Sequence, residues 1–317
     1  ILFGSIFIIS NSNAESFSFA LSKAFKNNSE LNAERENINI SEQELKISQG
    51  NYLPSLTLSG SKSREDTNKL TNQSGGNVTI NDVDPLTKSI SISQTLIDFG
   101  RGAELLKSKI GLELAKAKLL KKEQDILNKS TEAYTGLILA NEKLNINRDN
   151  VELLNRQVET DQIRVERGQI TLSDVSQSES SLAEAQAKLI QAENELLTSK
   201  LNYENIIGSL NDPKSLDKKS IMEYPLPNNL SSAIELSKKN NPDLIIAQLE
   251  YEQTQKDKAI AKSDLAPTAN LSLERSYTDD LSATYDEREK DTLKATVTWP
   301  FFSGGKNLAS LNKSSSL

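Results

Sequence analysis

Apolar residues recur every seventh position through most of residues 101–208. Leu105, Leu112, Leu119, Ile126 and Ala133 form one run. After a step of four, the seam continues as Leu137, Leu144, Val151, Val158 and Val165. A second run follows as Val175, Leu182, Leu189, Leu196 and Tyr203. Three places on from it lies a stripe of mostly small residues, Ser178, Ala185, Ala192, Ser199 and Ile206. Sustained heptads keep one helix face against a partner, so the pattern predicts a coiled coil. The step of four is a stutter that locally unwinds it. No proline falls between Pro85 and Pro213, and the plausible turn is Arg167-Gly168-Gln169. The prediction is one long helical hairpin over 101–208.

The flanking segments have other periods. Over 15–49, Ala20, Leu21, Ala24, Phe25 and Leu31 share one helical face, and Gly50-Asn51 ends the pattern. From Pro54 the period becomes two. Leu56, Leu58 and Gly60 alternate with serine and threonine in a strand at 53–62. Ile90, Ile92, Gln94 and Leu96 do the same at 88–97, after a polar loop. An irregular stretch at 209–229 follows the hairpin, and then the chain begins again. Ala20 to Leu31 match Ala233 to Leu244 at a shift of 213, and Pro54 matches Pro267 at the same shift. A helix at 230–264 and strands at 267–277 and 291–301 recur in the same order. Phe302-Ser303-Gly304-Gly305-Lys306 then stands where Ile97-Asp98-Phe99-Gly100-Arg101 stood. The fold class expected is α+β, mainly long α-helices, internally duplicated. The first repeat is 15–229 and the second is 230–317, cut off where its own hairpin would start. At about 1.5 Å per residue, the outgoing helix would span roughly 100 Å, matched by the return helix and the first helix stacked end to end. That predicts a rod.

Composition narrows the function classes. A hydrophobic content of 36% with 5% aromatic residues is low for a globule of 317 residues, and suits long helices that bury one stripe each. Net charge is −7 without a basic block, which argues against nucleic acid as the main partner. The sequence has no Cys and no His, so thiolate nucleophiles, His-based triads and the usual zinc ligand sets are absent. No catalytic, cofactor-binding or metal-ligating constellation emerges. The acidic residues between Asp279 and Asp291 lack the spacing of a calcium loop and read as a solvated loop. Residues 1–9 are nearly all apolar yet too short to span a bilayer as a helix, and Ser12-Asn13-Ala14 offers a small-residue cleavage site. Residues 1–14 read as the end of a secretory signal peptide.

Four strands of about ten residues have the length that crosses an outer membrane when tilted. The same alternation also describes a soluble β-domain with one wet face. At the hairpin turn, Gly168 supplies freedom for a tight reversal, Thr171 or Ser173 can cap the return helix, and Asp174 suits its first turn. An exposed tip there could dock a partner or gate a passage.

Order and duplication now carry a resemblance. The supporting residues are the helix–proline–strand beginnings at Pro54 and Pro267 and the strand-to-helix junctions at Asp98, Gly100, Gly304 and Gly305. The third support is the tip, Arg164-x-x-x-Gly168 followed by Thr171-Leu172-Ser173-Asp174-Val175. Together they resemble the TolC family of outer-membrane efflux and type I secretion proteins. The resemblance implies a homotrimer in the outer membrane of a Gram-negative bacterium, in contact with outer-membrane lipid. Each copy would give four transmembrane strands to a shared β-barrel and helical hairpins to a periplasmic α-barrel tunnel. It implies a passive exit duct, not an enzyme, joined to a periplasmic adaptor and an inner-membrane pump of ABC, RND or MFS type. It also implies that Arg164, Gly168, Thr171, Leu172 and Asp174 serve adaptor docking or gating, Asp174 pairing with residues of a second hairpin. The competing reading is a periplasmic adaptor (membrane fusion) subunit, also secreted and hairpin-bearing, but built on a lipoyl-like module without this repeat. A soluble structural coiled coil is a third.

Overall fold

A computed structural model describes residues 16–78, 82–210, 212–218, 227–282 and 285–316. The proposed signal segment at 1–14, and residues 219–226 of the irregular stretch, lie outside them. The described chain is mainly helical with a four-stranded antiparallel sheet. Its elements in order are α1 (Phe17–Asn27), α2 (Ser29–Gly50), β1 (Ser55–Lys62), β2 (Leu86–Ile97), α3 (Arg101–Glu166), α4 (Leu172–Ile206), α5 (Leu230–Asn240), α6 (Pro242–Ser263), β3 (Thr268–Asp279), β4 (Glu287–Thr298) and α7 (Lys306–Ser316). They divide into two compact units, 1–36 with 117–242 and 37–116 with 243–317.

In the first unit the heptad seam is the buried stripe. Ile126, Ala133, Leu137, Leu144 and Val158 of α3 and Val175, Ala185, Ala192 and Tyr203 of α4 are all buried. Helix α1 lays Ala20 and Ala24 against this pair, in a cluster with Tyr134, Leu137, Tyr203, Ile207, Leu210 and Leu216. Two alanines on α1 leave room for the tyrosine rings beneath. Phe17 meets Tyr134 edge-on at 5.2 Å, and the Tyr134 hydroxyl donates to the Asp217 carbonyl at 2.8 Å. The segment after α4, expected to be merely irregular, thus contributes Leu210 and Leu216 to the core. Burying a leucine such as Leu31 fully stabilises by about 1.5–3 kcal/mol.

The single helices expected at 15–49 and 230–264 are each broken. Asn28 leaves α1 with extended backbone (φ −64°, ψ 124°), and its side-chain oxygen accepts from the Leu31 amide at 3.1 Å to start α2. Asn241 likewise leaves α5 with extended backbone before Pro242 (φ −73°, ψ 115°). A residue preceding proline is pushed out of the helical region, and proline fits the first helical position.

The second unit holds the sheet, in the order β1-β2-β3-β4. Strand β2 begins at Leu86, two residues before the expected start. Strand β4 begins at Glu287 instead of 291 and stops at Thr298. Glu289, read from the sequence as solvated loop, is therefore a strand residue beside Asp291, where the expected strand began. Their charges are met from β3, where Arg275 lies 3.4 Å from Glu289 and 3.8 Å from Asp291. Strand β4 stops where the Trp299 indole turns to donate to the Leu265 carbonyl at 3.1 Å, just before Pro300, which cannot extend a ladder. Leu96 is an extra residue in β2, marked by a register shift between Thr95 and Ile97.

Register places whole rows of side chains on one face. Leu56 pairs with Ile92, Ile92 with Leu273 and Leu273 with Leu293. Leu58, Ile90, Leu271, Ala295 and Val297 share that face. Toward the loop end it turns ionic, with Lys88, Arg275, Glu289 and Asp291. The other face carries Ser55, Thr57, Ser59, Ser89, Ser91, Ser93, Ser272, Glu274, Ser276, Thr292, Lys294 and Thr296, and no apolar side chain in these rows. Leu58, Leu293 and Val297 are more than 70% exposed, so among the described residues nothing covers this part of the apolar face. No helix among the described residues is long and apolar enough to cross a membrane.

Candidate functional site

The hairpin tip joins two standard helix ends back to back. Gly168 takes φ +71°, a region costly for residues with a Cβ. Its amide donates to the Val165 carbonyl at 2.8 Å, and the Gln169 amide donates to the Arg164 carbonyl at 2.9 Å. These are the two bonds of a Schellman motif, and they satisfy carbonyls left over at the end of α3. Two residues later Thr171 caps α4 in a reciprocal box. Asp174 Oδ2 accepts from the Thr171 amide and from its hydroxyl, each at 2.8 Å, while the Asp174 amide donates to Thr171 Oγ1 at 3.3 Å. These bonds hold the Asp174 carboxyl below the usual aspartate range, the Thr171 backbone amide contributing most. Leu172 is 75% exposed at the first position of α4, an apolar side chain left in solvent beside the turn.

Arg164, Gly168, Thr171, Leu172 and Asp174 are thus brought together around one turn. The sequence reading missed Asp161. Its carboxylate is buried between the helices, accepting from Ser178 Oγ at 2.6 Å and Gln157 Nε2 at 2.8 Å, with Arg164 Nη1 3.5 Å away. The Ser178 hydroxyl is the largest influence lowering its pKa. The signal was present in the sequence. Ala140, Asn147, Leu154 and Asp161 recur every seven residues, three places on from the seam, so a lone aspartate stands on a core stripe.

The strand-to-helix junctions are built in two ways. In the first, Asp98 Oδ1 accepts from the amides of Gly100 at 2.8 Å and Arg101 at 3.2 Å, capping α3. Arg101 is 8% exposed; its guanidinium donates to the Thr95 carbonyl at 2.8 Å and lies over the Tyr52 ring at 5.0 Å. A Cβ on Gly100 would fall 2.4 Å from Ser263 Oγ and 3.4 Å from Ser263 Cβ, so it is the serine hydroxyl of α6 that stands in the way of a side chain there. In the second junction, Gly304 and Gly305 take φ +64° and +78° with open space around them, so the demand is conformational. Pro54 and Pro267 stand immediately before β1 and β3.

Among the described residues no cluster of carboxylates could hold a metal ion. The chemistry on offer is that of surfaces. It comprises a sheet with one apolar and one hydrophilic face, strand ends that lead directly into helices, and a helical hairpin with a hydrogen-bonded tip. Residues 20–209 match the outer membrane efflux protein family, and the chain belongs to it. Family membership places it in the outer membrane. It is similar to outer membrane efflux protein BepC of Brucella suis, 24% identical over 303 residues that cover 95% of this chain and 64% of BepC. It is also similar to alkaline protease secretion protein AprF of Pseudomonas aeruginosa, 22% identical over 72% of this chain and 48% of AprF. The chain therefore spans less than two thirds of these curated relatives. Its fold matches the CmeC outer membrane channel of Campylobacter jejuni with TM-score 0.81 at 17% identity, covering 95% of this chain and 64% of that one.

Proposed function

We propose that the protein is the exit-duct subunit of a tripartite efflux pump or type I secretion system. Three copies would close a β-barrel in the outer membrane and a helical tunnel in the periplasm. They would work as a passive conduit joined to a periplasmic adaptor and an inner-membrane pump that supplies the energy, with no reaction catalysed by the duct itself. The sheet carries this reading. Its apolar face suits lipid and its serine- and threonine-rich face suits a water-filled lumen. Strands β1 and β4 are open edges, and open edges are not tolerated in hydrocarbon, so neighbouring copies must pair them. Trp299, Phe301 and Phe302, exposed at the end of β4, suit the membrane interface.

In this reading the tip is the adaptor-facing end, with Leu172 and Arg164 as contacts and Gly168 and Thr171 shaping the turn. Asp174 caps α4 and offers its charge to a gate. Pro54, Asp98, Gly100, Pro267, Gly304 and Gly305 transmit the strand directions into the tunnel wall. The test is fractionation. Heat-modifiable trimers in the outer membrane, with dye efflux lost on deletion, are the expected result. Recovery only as a soluble periplasmic monomer would overturn the reading.

A further inference from the structure

We infer that Asp161 is the positioning residue of the hairpin tip, holding the first turns of α4 to the last turns of α3 and so fixing where Arg164 and Leu172 face a partner. The inference rests on the proposed docking role of the tip.

The Schellman turn and the capping box bond residues within a few places of each other and shape each helix end separately. The bond between Asp161 and Ser178 crosses from one helix to the other, 17 residues apart in sequence. It lies where the apolar seam gives out, since Val158 and Val175 are the last seam residues before the tip that are buried. There a carboxylate replaces the apolar side chain that the stripe would otherwise supply. Its side chain is 8% exposed. A buried charge is tolerated only when its oxygens are bonded, and here Oδ2 accepts from Ser178 and Gln157 while Oδ1 faces Arg164. Slippage of α4 by one residue would take the Ser178 hydroxyl, the bond from α4, away from that buried charge, so register is penalised more sharply than an apolar contact would penalise it. The same carboxylate steers the Arg164 guanidinium, whose side chain is 47% exposed, toward the surface of the tip.

The absence of cysteine from the sequence makes the test direct. Spin labels at Thr160→Cys on α3 and Glu179→Cys on α4 in the intact protein report the helix separation without any partner. A photo-cross-linker at Leu172→Cys reports partner capture in the outer membrane. Asp161→Ala should broaden the distance distribution and lower capture about tenfold, the scale of one charge-assisted hydrogen bond. Asp161→Asn, which can still accept from Ser178 and Gln157, should stay within about twofold of the parent. Ser178→Ala should broaden the distances even if Asp161→Ala fails to assemble. Unchanged distances in both Asp161→Ala and Ser178→Ala would overturn the inference. Loss of all capture by the parent would instead remove the docking reading, leaving the distances to decide on Asp161.

Discussion

Helices α1–α2 and α5–α6 are copies of one another at the level of sequence, yet they have different energetic standing. Their local devices agree. Ser16 caps α1 by accepting from the Phe19 amide at 3.2 Å, and Asn229 caps α5 by accepting from the Ser232 amide at 2.8 Å. Both pairs break at an asparagine with extended backbone. Burial does not agree. Leu31 is fully buried, whereas its counterpart Leu244 is 48% exposed, and α5 has no buried residue. Helix α1 packs on the α3–α4 hairpin; among the described residues no such hairpin lies against α5. An amphipathic pattern specifies which face is apolar, but only a partner element turns that face into a core.

The comparison can be broken most forcefully at the leucines. Leu31→Ala should destabilise the protein by about 2–5 kcal/mol in denaturant unfolding, and Leu244→Ala by no more than about 0.5 kcal/mol. Equal losses would mean that α6 is as fully packed at its start as α2. The next effect lies at the junctions. Gly100→Ala should cost about 1–3 kcal/mol through the clash with Ser263 and be largely rescued by Ser263→Ala. Gly304→Ala should cost about 1 kcal/mol through its positive φ alone and gain nothing from Ser263→Ala. Capping should treat the copies alike, with Ser16→Ala and Asn229→Ala each costing about 1 kcal/mol in thermal melts. A large difference between them would mean that caps too depend on tertiary packing.

The smallest effect concerns the tip. The folded-state pKa values of Asp161 and Asp174 are both held below the ordinary aspartate value of 3.8. Their contribution is therefore fully present above that value and is lost as pH falls through the lower folded values. Amide exchange at residues 169–175, corrected for its intrinsic pH dependence, should show constant protection from pH 8 to pH 5 and loss only below about pH 4. Loss of protection near neutral pH would contradict the assigned hydrogen bonds.

Much of this was legible in the sequence because each long element repeats its own period many times. Twenty heptad positions outvote any local anomaly, and each strand alternates polar with apolar residues over part of its length. The exceptions arise where one residue overrides a period. Asn28 and Asn241 interrupt helical patterns that continue in phase on both sides. Glu289 and Asp291 look unlike strand residues until Arg275 is placed opposite them, a pairing set by register and invisible within β4 itself. Asp161 was missed because its partner Ser178 lies across the turn, 17 residues on. The bulge at Leu96 leaves no mark in an alternation that already contains Gln94.

The order of the sheet carries a kinetic consequence. Strands β2 and β3 are neighbours, yet the Thr87 and Thr278 hydroxyls that meet between them, 3.1 Å apart, are 191 residues apart in sequence. Strands β1 and β2 can form their ribbon early, but the seam at its centre must wait until the whole helical hairpin and a second helix pair have been synthesised. Pairings so distant in sequence are slow to form, and an unpaired strand edge invites aggregation in the interval. The same arrangement that gives a finished sheet leaves the nascent chain dependent on protection of β2 until β3 arrives.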